Sequence, residues 1–260
     1  MKAQNRPVRG LSALVLTKNE EDNIGRALNS LLGLVEEVVV LDSGSTDRTV
    51  EIARSLGAKV FHKDWQGYPA QLNYGLGLCS GDWVLVVDAD EEVSEELRES
   101  IRKELESPRY EVYQLCRCTY YLGKFIRHGW YPEWRVRLFR KGRVYFQGEL
   151  HERPVYTVKS GKLRGDLYHY SYKSLRDQYR KTVEYAEKMA RHMHSSGKRF
   201  RLYHLILNPL WHFLKVYFFK LGFMEGSRGF LLAVSAFVYT FLKYKFLYEL
   251  ELKQKHERLW

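Results

Sequence analysis

Cysteine is scarce in this sequence, with three residues in a chain of 260. Cys116 and Cys118 lie two apart on a predicted strand, so their side chains face the same side of a sheet. Three cysteines are too few for a disulfide framework, and a zinc site would need about four ligands, including a second pair that the chain lacks. We therefore expect buried, reduced thiols in a protein that faces a reducing compartment.

Several sequence signatures are also missing. The chain has no G-x-G-x-x-G and no G-x-x-x-x-G-K, which argues against a dinucleotide site or a P-loop. Residues 1–10 are polar and basic with no apolar stretch behind them, so no secretion signal is predicted. No helix-turn-helix, zinc-finger or RNA-recognition signature is present, so we expect no nucleic-acid partner. A basic nucleic-acid-binding protein is the alternative from a different class, and a salt-dependent gel shift would detect it.

Positive charge and aromatic rings, by contrast, are abundant. The formal net charge is +11, and aromatic residues make up 15% of the chain. Such a charge favours anionic partners, among them lipid headgroups and phosphorylated sugars. Rings with polar edges suit both sugar stacking and membrane interfaces. Hydrophobic residues amount to 45%, which is typical of a folded chain.

Residues 11–106 alternate between short apolar runs and polar segments of helical length. The apolar runs predict strands at 11–16, 38–41, 59–62 and 83–87. Strands of this kind joined by helices predict an α/β fold with a mostly parallel sheet covered on both faces. Polar clusters follow three of the strands, and ligands of such sheets bind beyond the carboxyl ends of the strands. We therefore predict one binding site at that edge.

Acids at two of these strand ends are candidate ligands. Asp88 and Asp90 follow one strand, where a carboxylate can hold a hard cation, Mg²⁺ or Mn²⁺, against phosphate oxygens. Asp42 follows another strand, before a glycine-containing turn, where it can accept hydrogen bonds from a base N–H or a ribose hydroxyl. The alternatives are a solvated acidic turn at the first position and a helix-capping acid at the second.

Residues 14–20 (LVLTKNE), 42–47 (DSGSTD) and 88–91 (DADE) resemble the family 2 glycosyltransferases in order and spacing. The resemblance implies a GT-A fold, a UDP-sugar donor, an inverting mechanism and Mg²⁺ or Mn²⁺. It implies a nucleotide-sugar site lined by Thr17, Asn19, Glu20, Asp42, Ser43, Asn73, Asp88 and Ala89. It also implies that Asp90 binds the metal, with Asp88 as a second candidate ligand. Ser43 departs from the family pattern, which often has a second acid there, so uracil recognition would fall to Asp42 alone.

The later part of the chain is similar to a narrower group. Residues 129–140 (GWYPEWRVRLFR), His151-Glu152 and residues 220–226 (KLGFMEG) resemble bacterial lipopolysaccharide core glucosyltransferases. This resemblance implies transfer of glucose from UDP-glucose to the inner core of a membrane-associated glycolipid. A polyprenyl-phosphate glycosyltransferase is the alternative enzyme, and a non-catalytic nucleotide-binding protein is the alternative outside catalysis. The Q-x-x-R-W signature of processive synthases is missing, so we expect one hexose per encounter.

An inverting transfer needs a base that takes the acceptor proton. Glu152, Glu133 and Glu149 are the candidate carboxylates, and Glu152 is favoured because it comes after a strand-like run. His151 is a further candidate, either as a catalytic residue or as a metal ligand. The alternative for each acid is a surface carboxylate paired with an arginine. Candidate acceptor-binding side chains are Arg135, Arg137 and Arg140 for phosphates and Trp130 and Trp134 for sugar rings.

We divide the sequence into a nucleotide-sugar-binding half (1–110), a small acceptor lobe (111–172) and a helical C-terminal region (173–260). From residue 198 onward, 11 Lys and Arg stand against 4 Asp and Glu. The apolar run at 229–242 is shorter than the roughly 20 residues that cross a bilayer. We therefore predict amphipathic helices that lie on anionic lipid at the cytoplasmic face of the inner membrane. The alternative is a soluble helical hairpin packed on the catalytic domain; no oligomeric state is predicted.

Overall fold

A computed structural model describes residues 6–148, 153–172 and 174–257 of the chain. Contacts group the chain into two compact units. Unit 1 comprises Met1–Cys118 and Glu133–Tyr170, and unit 2 comprises Thr119–Pro132 and Ser171–Trp260. The three-part functional division of the sequence stays a prediction.

The described strands are β1 (Leu11–Thr17), β2 (Glu37–Asp42), β3 (Lys59–His62), β4 (Trp83–Asp88), β5 (Glu91–Val93), β6 (Val112–Tyr121), β7 (Lys124–Phe125), β8 (Glu133–Arg140), β9 (Tyr145–Gln147), β10 (Arg153–Val155) and β11 (Ser160–His169). The described α-helices are α1 (Ile24–Leu31), α2 (Thr49–Ser55), α3 (Tyr68–Leu78), α4 (Glu95–Glu106), α5 (Leu175–Ser195), α6 (Leu207–Leu214) and α7 (Ser227–Glu257). Unit 2 adds two 3₁₀ turns, Leu202–Leu205 and Gly222–Glu225, and a π-helical turn, Lys215–Phe219.

The main sheet has the strand order β3-β2-β1-β4-β8-β6-β11-β5, with β7 paired to β6. The first four strands are parallel, and β8 joins β4 in the antiparallel sense. The predicted mostly parallel α/β sheet is confirmed, with an antiparallel extension contributed by the later part of the chain. β9 and β10 form a separate two-stranded sheet.

Both faces of the parallel strands are buried. Along β1, Leu11, Ala13 and Val15 belong to one apolar cluster, whereas Leu14 and Leu16 belong to another. This follows from the period of two in a strand, which sends successive side chains to opposite faces. Cover on both faces fixes the sheet in place, so the loops that follow its strands are held in a defined position.

Two helices begin in different ways. Ser94 caps α4 by accepting a hydrogen bond from the N–H of Leu97. At α2, the N-cap residue is Arg48, which makes no side-chain cap bond. Asp47 does this work instead, since its carboxylate accepts from the N–H and the hydroxyl of Thr49.

Unit 2 is built around α7, which packs against α5 and α6. Leu232, Ala233 and Ala236 lie in one apolar cluster, and Tyr244 and Leu247 lie in another. Its stretch Ser227–Lys255 is long and apolar enough to cross a membrane by length and composition, and 39% of its most apolar 18-residue window is buried. The helix is longer than the apolar run at 229–242 indicates, because no glycine or proline ends it where the lysines begin.

Candidate active site

The carboxyl ends of β1, β2 and β4 lie side by side. Thr17 is the register partner of Asp42, and Leu16 is the partner of Asp88. Three parallel strands of the main sheet therefore end in polar residues at one edge, which is where such folds bind ligands. The hydroxyl of Thr17 is buried and has no hydrogen-bond partner among the described residues. A buried hydroxyl without a partner is costly, and a ligand at this edge would relieve that cost.

Asp42 shapes the turn that follows β2. Its carboxylate accepts hydrogen bonds from the N–H of Gly44 at 2.9 Å, the N–H of Ser45 at 3.0 Å and the hydroxyl of Ser45. Gly44 has φ +88°, a backbone conformation that favours glycine. A carboxylate offers about four lone-pair directions, so this turn leaves about one for a ligand. The side chain is therefore held in one orientation before any ligand arrives.

Asn19 and Glu20 join the loop after β1 to the loop after β2. The N–H of Asn19 donates to the hydroxyl of Ser45 at 2.9 Å, and the Asn19 side chain accepts from the N–H of Thr46 at 2.8 Å. The N–H of Glu20 donates to the hydroxyl of Thr49 at 2.8 Å. Asn19 has φ +54°, a left-handed conformation that asparagine tolerates better than most residues. These cross-links hold the two loops together as one surface.

Gln71 is a buried residue that the sequence analysis did not single out. Its amide nitrogen donates to the hydroxyl of Ser43 at 3.1 Å and to the carbonyls of Lys63 and Asp64 at 2.9 Å. Its side-chain oxygen is buried without a partner among the described residues. The sequence signal that could have identified Gln71 is its position two residues before Asn73, in the segment 71–75 (QLNYG). The Ser43 hydroxyl is thus held in place by a residue of α3.

Asn73 uses both ends of its side-chain amide on the backbone of β9. Its nitrogen donates to the carbonyl of Phe146 at 2.8 Å, and its oxygen accepts from the N–H of Phe146 at 2.9 Å. This bidentate pairing attaches β9 to α3. The observed contacts of Asn73 are therefore structural, and its predicted place beside the donor stays a prediction.

Asp88 is tied into a chain of alternating charges. Arg137 donates to the Asp88 carboxylate at 2.5 Å, and its guanidinium also lies 3.4 Å from the Glu91 carboxylate. Burial raises the pKa of Glu91, and the neighbouring Arg137 and Arg117 only partly oppose this effect. The predicted role of Arg137 in binding acceptor phosphates does not fit this geometry, because its side chain is only 6% exposed and faces these acids.

Asp90 lies beyond the end of β4 and pairs with a histidine that the sequence analysis missed. The Nε2 of His169, at the end of β11, is 3.3 Å from the Asp90 carboxylate. His169 is mostly buried, and its Nδ1 has no hydrogen-bond partner among the described residues. Neighbouring ligands of an octahedral Mg²⁺ at 2.0–2.1 Å lie about 3 Å apart, so this pair fits adjacent positions on such an ion. The described residues contain no group of three or more His, Cys, Asp or Glu placed for a metal, so further ligands would come from the donor, from water or from residues outside the described ranges.

Glu133, at the start of β8, is held by two guanidinium groups. Arg117 donates to it at 2.8 Å and 2.9 Å, and Arg135 also donates to it. Burial raises the pKa of Glu133, but the two arginines outweigh burial and lower it to about 2. Such a carboxylate is a weak proton acceptor at neutral pH. His151, Glu152 and Glu149 lie outside the described residues.

The aromatic and basic residues of the later segment have separate environments. In unit 2, Trp130 packs with Tyr121 and Tyr172 in an apolar cluster, so its observed role is packing. In unit 1, the Lys162 ammonium lies 4.5 Å from the ring of Trp134. Arg140 lies 3.7 Å from Glu111 on the surface.

A mostly parallel sheet with acids after β2 and β4 is the architecture of a nucleotide-binding α/β protein. The family model "Glycosyl transferase family 2" matches residues 12–158. An uncharacterized glycosyltransferase of Rickettsia typhi is 35% identical over 260 residues, covering 95% of this chain and 89% of that protein. The lipopolysaccharide core biosynthesis glycosyltransferase LpsC of Rhizobium meliloti is 32% identical over 253 residues, covering 92% of each. Among solved structures, S. aureus TarS 1–349 is 16% identical, with coverage of 95% of this chain and 92% of that chain and a TM-score of 0.47.

The chain belongs to the family 2 glycosyltransferases. It is therefore a glycosyltransferase, as the resemblance of its strand-end motifs implied. The GT-A architecture implied by that resemblance is also confirmed, with an apolar helix in the C-terminal region.

Proposed function

We propose that this chain transfers one hexose, glucose from UDP-glucose, with inversion onto a membrane-associated glycolipid such as the lipopolysaccharide inner core. The observation that carries the proposal is the joint placement of Thr17, Asp42 and Asp88 at one sheet edge. The relation to LpsC, whose name assigns it to lipopolysaccharide core biosynthesis, favours the acceptor.

The nucleotide part of the donor would lie over the cross-linked loops after β1 and β2. Asp42 would accept a hydrogen bond from the uracil N–H, because its carboxylate is already oriented by Gly44 and Ser45. The unpartnered hydroxyl of Thr17 supplies a second polar contact. Asp88, fixed by Arg137, would lie near the ribose.

The residues present fit a divalent cation. Asp90 and His169 would hold Mg²⁺ or Mn²⁺, and Asp88 and His151 stay further candidate ligands. When bound, the ion would offset the charge that develops on the departing diphosphate.

The base that takes the acceptor proton is proposed to be Glu152. The donor half uses its acids for the nucleotide and the cation, so the base should come from the second half of the catalytic region. Glu133 is the alternative, but two arginines hold it in its ionised form with a pKa of about 2. A base must accept a proton in the transition state, and such a carboxylate does so weakly.

A donor screen tests the proposal. UDP-glucose, UDP-galactose, UDP-N-acetylglucosamine and GDP-mannose are each incubated with the chain and Mn²⁺, and slow hydrolysis of the donor is measured. We expect hydrolysis of UDP-glucose above the others, and its loss in EDTA. Equal hydrolysis with and without the chelator would contradict the metal assignment. Transfer to a polyprenyl phosphate in place of a glycolipid would move the acceptor to the alternative enzyme class.

A further inference from the structure

Unit 2 carries an unusual amount of exposed apolar surface. Between Leu202 and Leu231, thirteen large apolar side chains are more than a third exposed, with Leu202 and Phe219 each at 70%. Trp211, Phe218 and Met224 are each more than half exposed. A single exposed apolar residue needs no explanation, but a set this dense marks an interaction site. We refer to these thirteen side chains as the apolar surface of unit 2.

Ring contacts show that the aromatic members are neighbours. The rings of Trp211 and Phe219 are 5.3 Å apart between centroids. The ring of Tyr217 lies 5.1 Å from Phe218, 6.3 Å from Phe223 and 6.0 Å from Phe230. The exposed rings therefore form two clusters, Trp211 with Phe219, and Phe218, Phe223 and Phe230 around the half-buried ring of Tyr217.

The 3₁₀ turn that presents Phe223 and Met224 is held close to α7. A Cβ at Gly229 would overlap the carbonyl oxygen of Gly222, so the turn and the helix meet at two glycines. Leu221 has φ +57°, a conformation that leucine rarely adopts and that costs free energy. The chain therefore maintains an unfavourable backbone conformation where it exposes Leu221, Phe223 and Met224 to solvent.

The charges around the apolar surface of unit 2 indicate which kind of partner it fits. From residue 202 to 231 the one acid is Glu225. It is buried and bonded to Lys124 and His128, so it adds no negative charge to the surface. Lys215 and Lys220 are exposed within the same segment. Exposed rings and apolar chains with exposed lysines and no exposed acid complement the interface of an anionic bilayer.

The long helix α7 is used differently. Leu232, Ala233, Ala236, Tyr244 and Leu247 are buried at intervals along it in the core of unit 2. A helix that crossed the bilayer would have to withdraw these side chains from their packing, at a cost set by their buried area. The exposed elements, in contrast, are short turns and helices that cannot span a bilayer.

We propose that the apolar surface of unit 2 inserts into one leaflet of an anionic bilayer, parallel to the membrane plane, while α7 beyond Leu231 stays packed within unit 2 and does not span. The inference deepens the proposed function and rests on it in one respect, namely that the acceptor is membrane-associated. Insertion would hold the enzyme at the depth of the headgroups, where a glycolipid presents its sugars.

Vesicle flotation tests the insertion. The full chain is mixed with vesicles of phosphatidylcholine alone or with phosphatidylglycerol added, and the bound fraction is measured. We expect binding to the anionic vesicles, weakened by salt because the lysine contribution is screened. The double variant Trp211→Ser with Phe219→Ser should bind at least about tenfold more weakly, since two exposed rings no longer enter the apolar phase. Val183→Ser is the matched control, because Val183 is 40% exposed on α5, outside the apolar surface.

A protease test separates in-plane insertion from a span. An epitope tag is placed after Trp260, the chain is added to preformed vesicles, and protease is applied from outside. We expect the tag to be removed. A protected tag, together with normal binding of the double variant, would show that α7 spans and would overturn the proposal.

Two further outcomes are distinguishable from these. A lipid-free dimer of the wild type that the double variant lacks, without vesicle binding, would assign the surface to a second copy of the chain. Donor hydrolysis is measured on the same preparations, because it needs no membrane. Hydrolysis without vesicle binding would overturn the insertion and leave the proposed donor chemistry standing. Vesicle binding without hydrolysis would overturn the proposed donor chemistry and leave the insertion standing.

Discussion

Asp42, Asp88 and Asp90 are the same residue type at neighbouring strand ends, but their surroundings differ. Asp42 is occupied by N–H and hydroxyl donors of its own turn. Asp88 is bound to Arg137, and Asp90 is paired with His169. Hydrogen-bond donors fix the orientation of Asp42, and a guanidinium neutralises Asp88. Asp90 and the imidazole of His169 form a pair that is suited to a cation. The three aspartates are therefore suited to different roles.

Asp90→Asn should lower transfer by at least about 10²-fold while the chain stays folded, because a carboxamide is a weaker ligand for a hard cation. The measurement is transfer at saturating donor, with and without added Mn²⁺. EDTA should have the same effect on the wild type, and added Mn²⁺ should reverse it. Asp64→Asn is the control, because the Asp64 side chain is 94% exposed. Full turnover of the Asp90 variant in chelator would rule out this role.

Glu152→Gln should reduce kcat by about 10²-fold or more, the usual scale of general-base catalysis. UDP affinity should hardly change, since the loss is confined to the transition state. Steady-state kinetics and UDP titration measure the two quantities. Near-normal turnover of Glu152→Gln, combined with loss of turnover in Glu133→Gln, would transfer the role to Glu133.

Glu133 also predicts a dependence of stability on pH. Burial raises the pKa of Glu133, but the arginines lower it by more. The resulting pKa of about 2 lies below the usual 4.5. A lowered pKa stabilises the fold above pH 4.5, and this contribution is lost as the pH falls toward 2. This lowering of the pKa of Glu133 from 4.5 to about 2 corresponds to about 3 kcal/mol of folding stability at neutral pH. Urea unfolding from pH 7 to pH 3 should therefore show the gap between wild type and Glu133→Gln narrowing below pH 4.5.

The control for this experiment is Glu95→Gln, because the Glu95 side chain is 80% exposed and its carboxylate lies 3.5 Å from the guanidinium of Arg98. Exposed ion pairs contribute little, so this variant should stay within about 0.5 kcal/mol of the wild type at every pH. A gap for Glu133→Gln that is constant with pH would show that packing, and not charge, accounts for its effect.

At the scale of elements, the loops of the site and the turns of unit 2 are fixed by different means. The loops after β1 and β2 are held by backbone N–H groups that donate to the side-chain oxygens of Asn19, Asp42 and Asp47. The turn Gly222–Glu225 is held by close approach to α7 at Gly229 and by the buried carboxylate of Glu225. The hydrogen bonds between the loops leave the sheet edge at β1 and β2 open to a ligand. The tight packing of the turn Gly222–Glu225 leaves its apolar side chains facing outward.

Gly229→Ala should destabilise unit 2 by about 1–3 kcal/mol, because the added methyl group overlaps the Gly222 carbonyl and one element must move. Thermal unfolding measures the effect. Gly77→Ala is the matched control, since nothing lies within 4 Å of a Cβ at this position in α3. That change should be neutral or stabilising by about 0.5–1 kcal/mol, as alanine is the better helix former. Equal effects of the two substitutions would show that the close approach is unimportant.

At the scale of the whole molecule, the chain folds into two compact units and carries a formal net charge of +11. Unit 1 contains the described site residues and the family match from residue 12 to 158 overlaps it. Unit 2 carries the apolar surface and its exposed lysines. Under the proposed function, this positive charge would speed encounter with an anionic donor and with a glycolipid acceptor at an anionic membrane.

The whole chain should add one hexose to each acceptor. Residues 178–181 read Q-Y-R-K in place of the processive Q-x-x-R-W signature. In the structure Gln178 is buried and bonded to Tyr121 and Ser235 within unit 2, so its role is structural. Mass spectrometry of the product should show a single hexose increment at long incubation times. A series of products with two, three and more hexoses would contradict this expectation.

The sequence alone determined the parallel strands and the edge at which Thr17, Asp42 and Asp88 lie. This worked because apolar runs mark buried strands and the carboxyl ends of parallel strands meet at one edge. Asp90 was predicted as a candidate ligand from its position just past a strand, and this role stays a prediction. These are local signals, carried by residues within a few positions of a strand end.

Only the tertiary structure decided the partners of those acids. His169 and Arg137 come from β11 and β8, about 80 and 50 residues later in the chain, and reach Asp90 and Asp88 through the strand order of the sheet. No periodicity in a sequence specifies which side chains meet across antiparallel strands so far apart, because register depends on the packing of the whole sheet. For the same reason the sequence showed that the C-terminal region is apolar and basic, whereas the structure decided which of its apolar side chains α7 buries and which remain exposed.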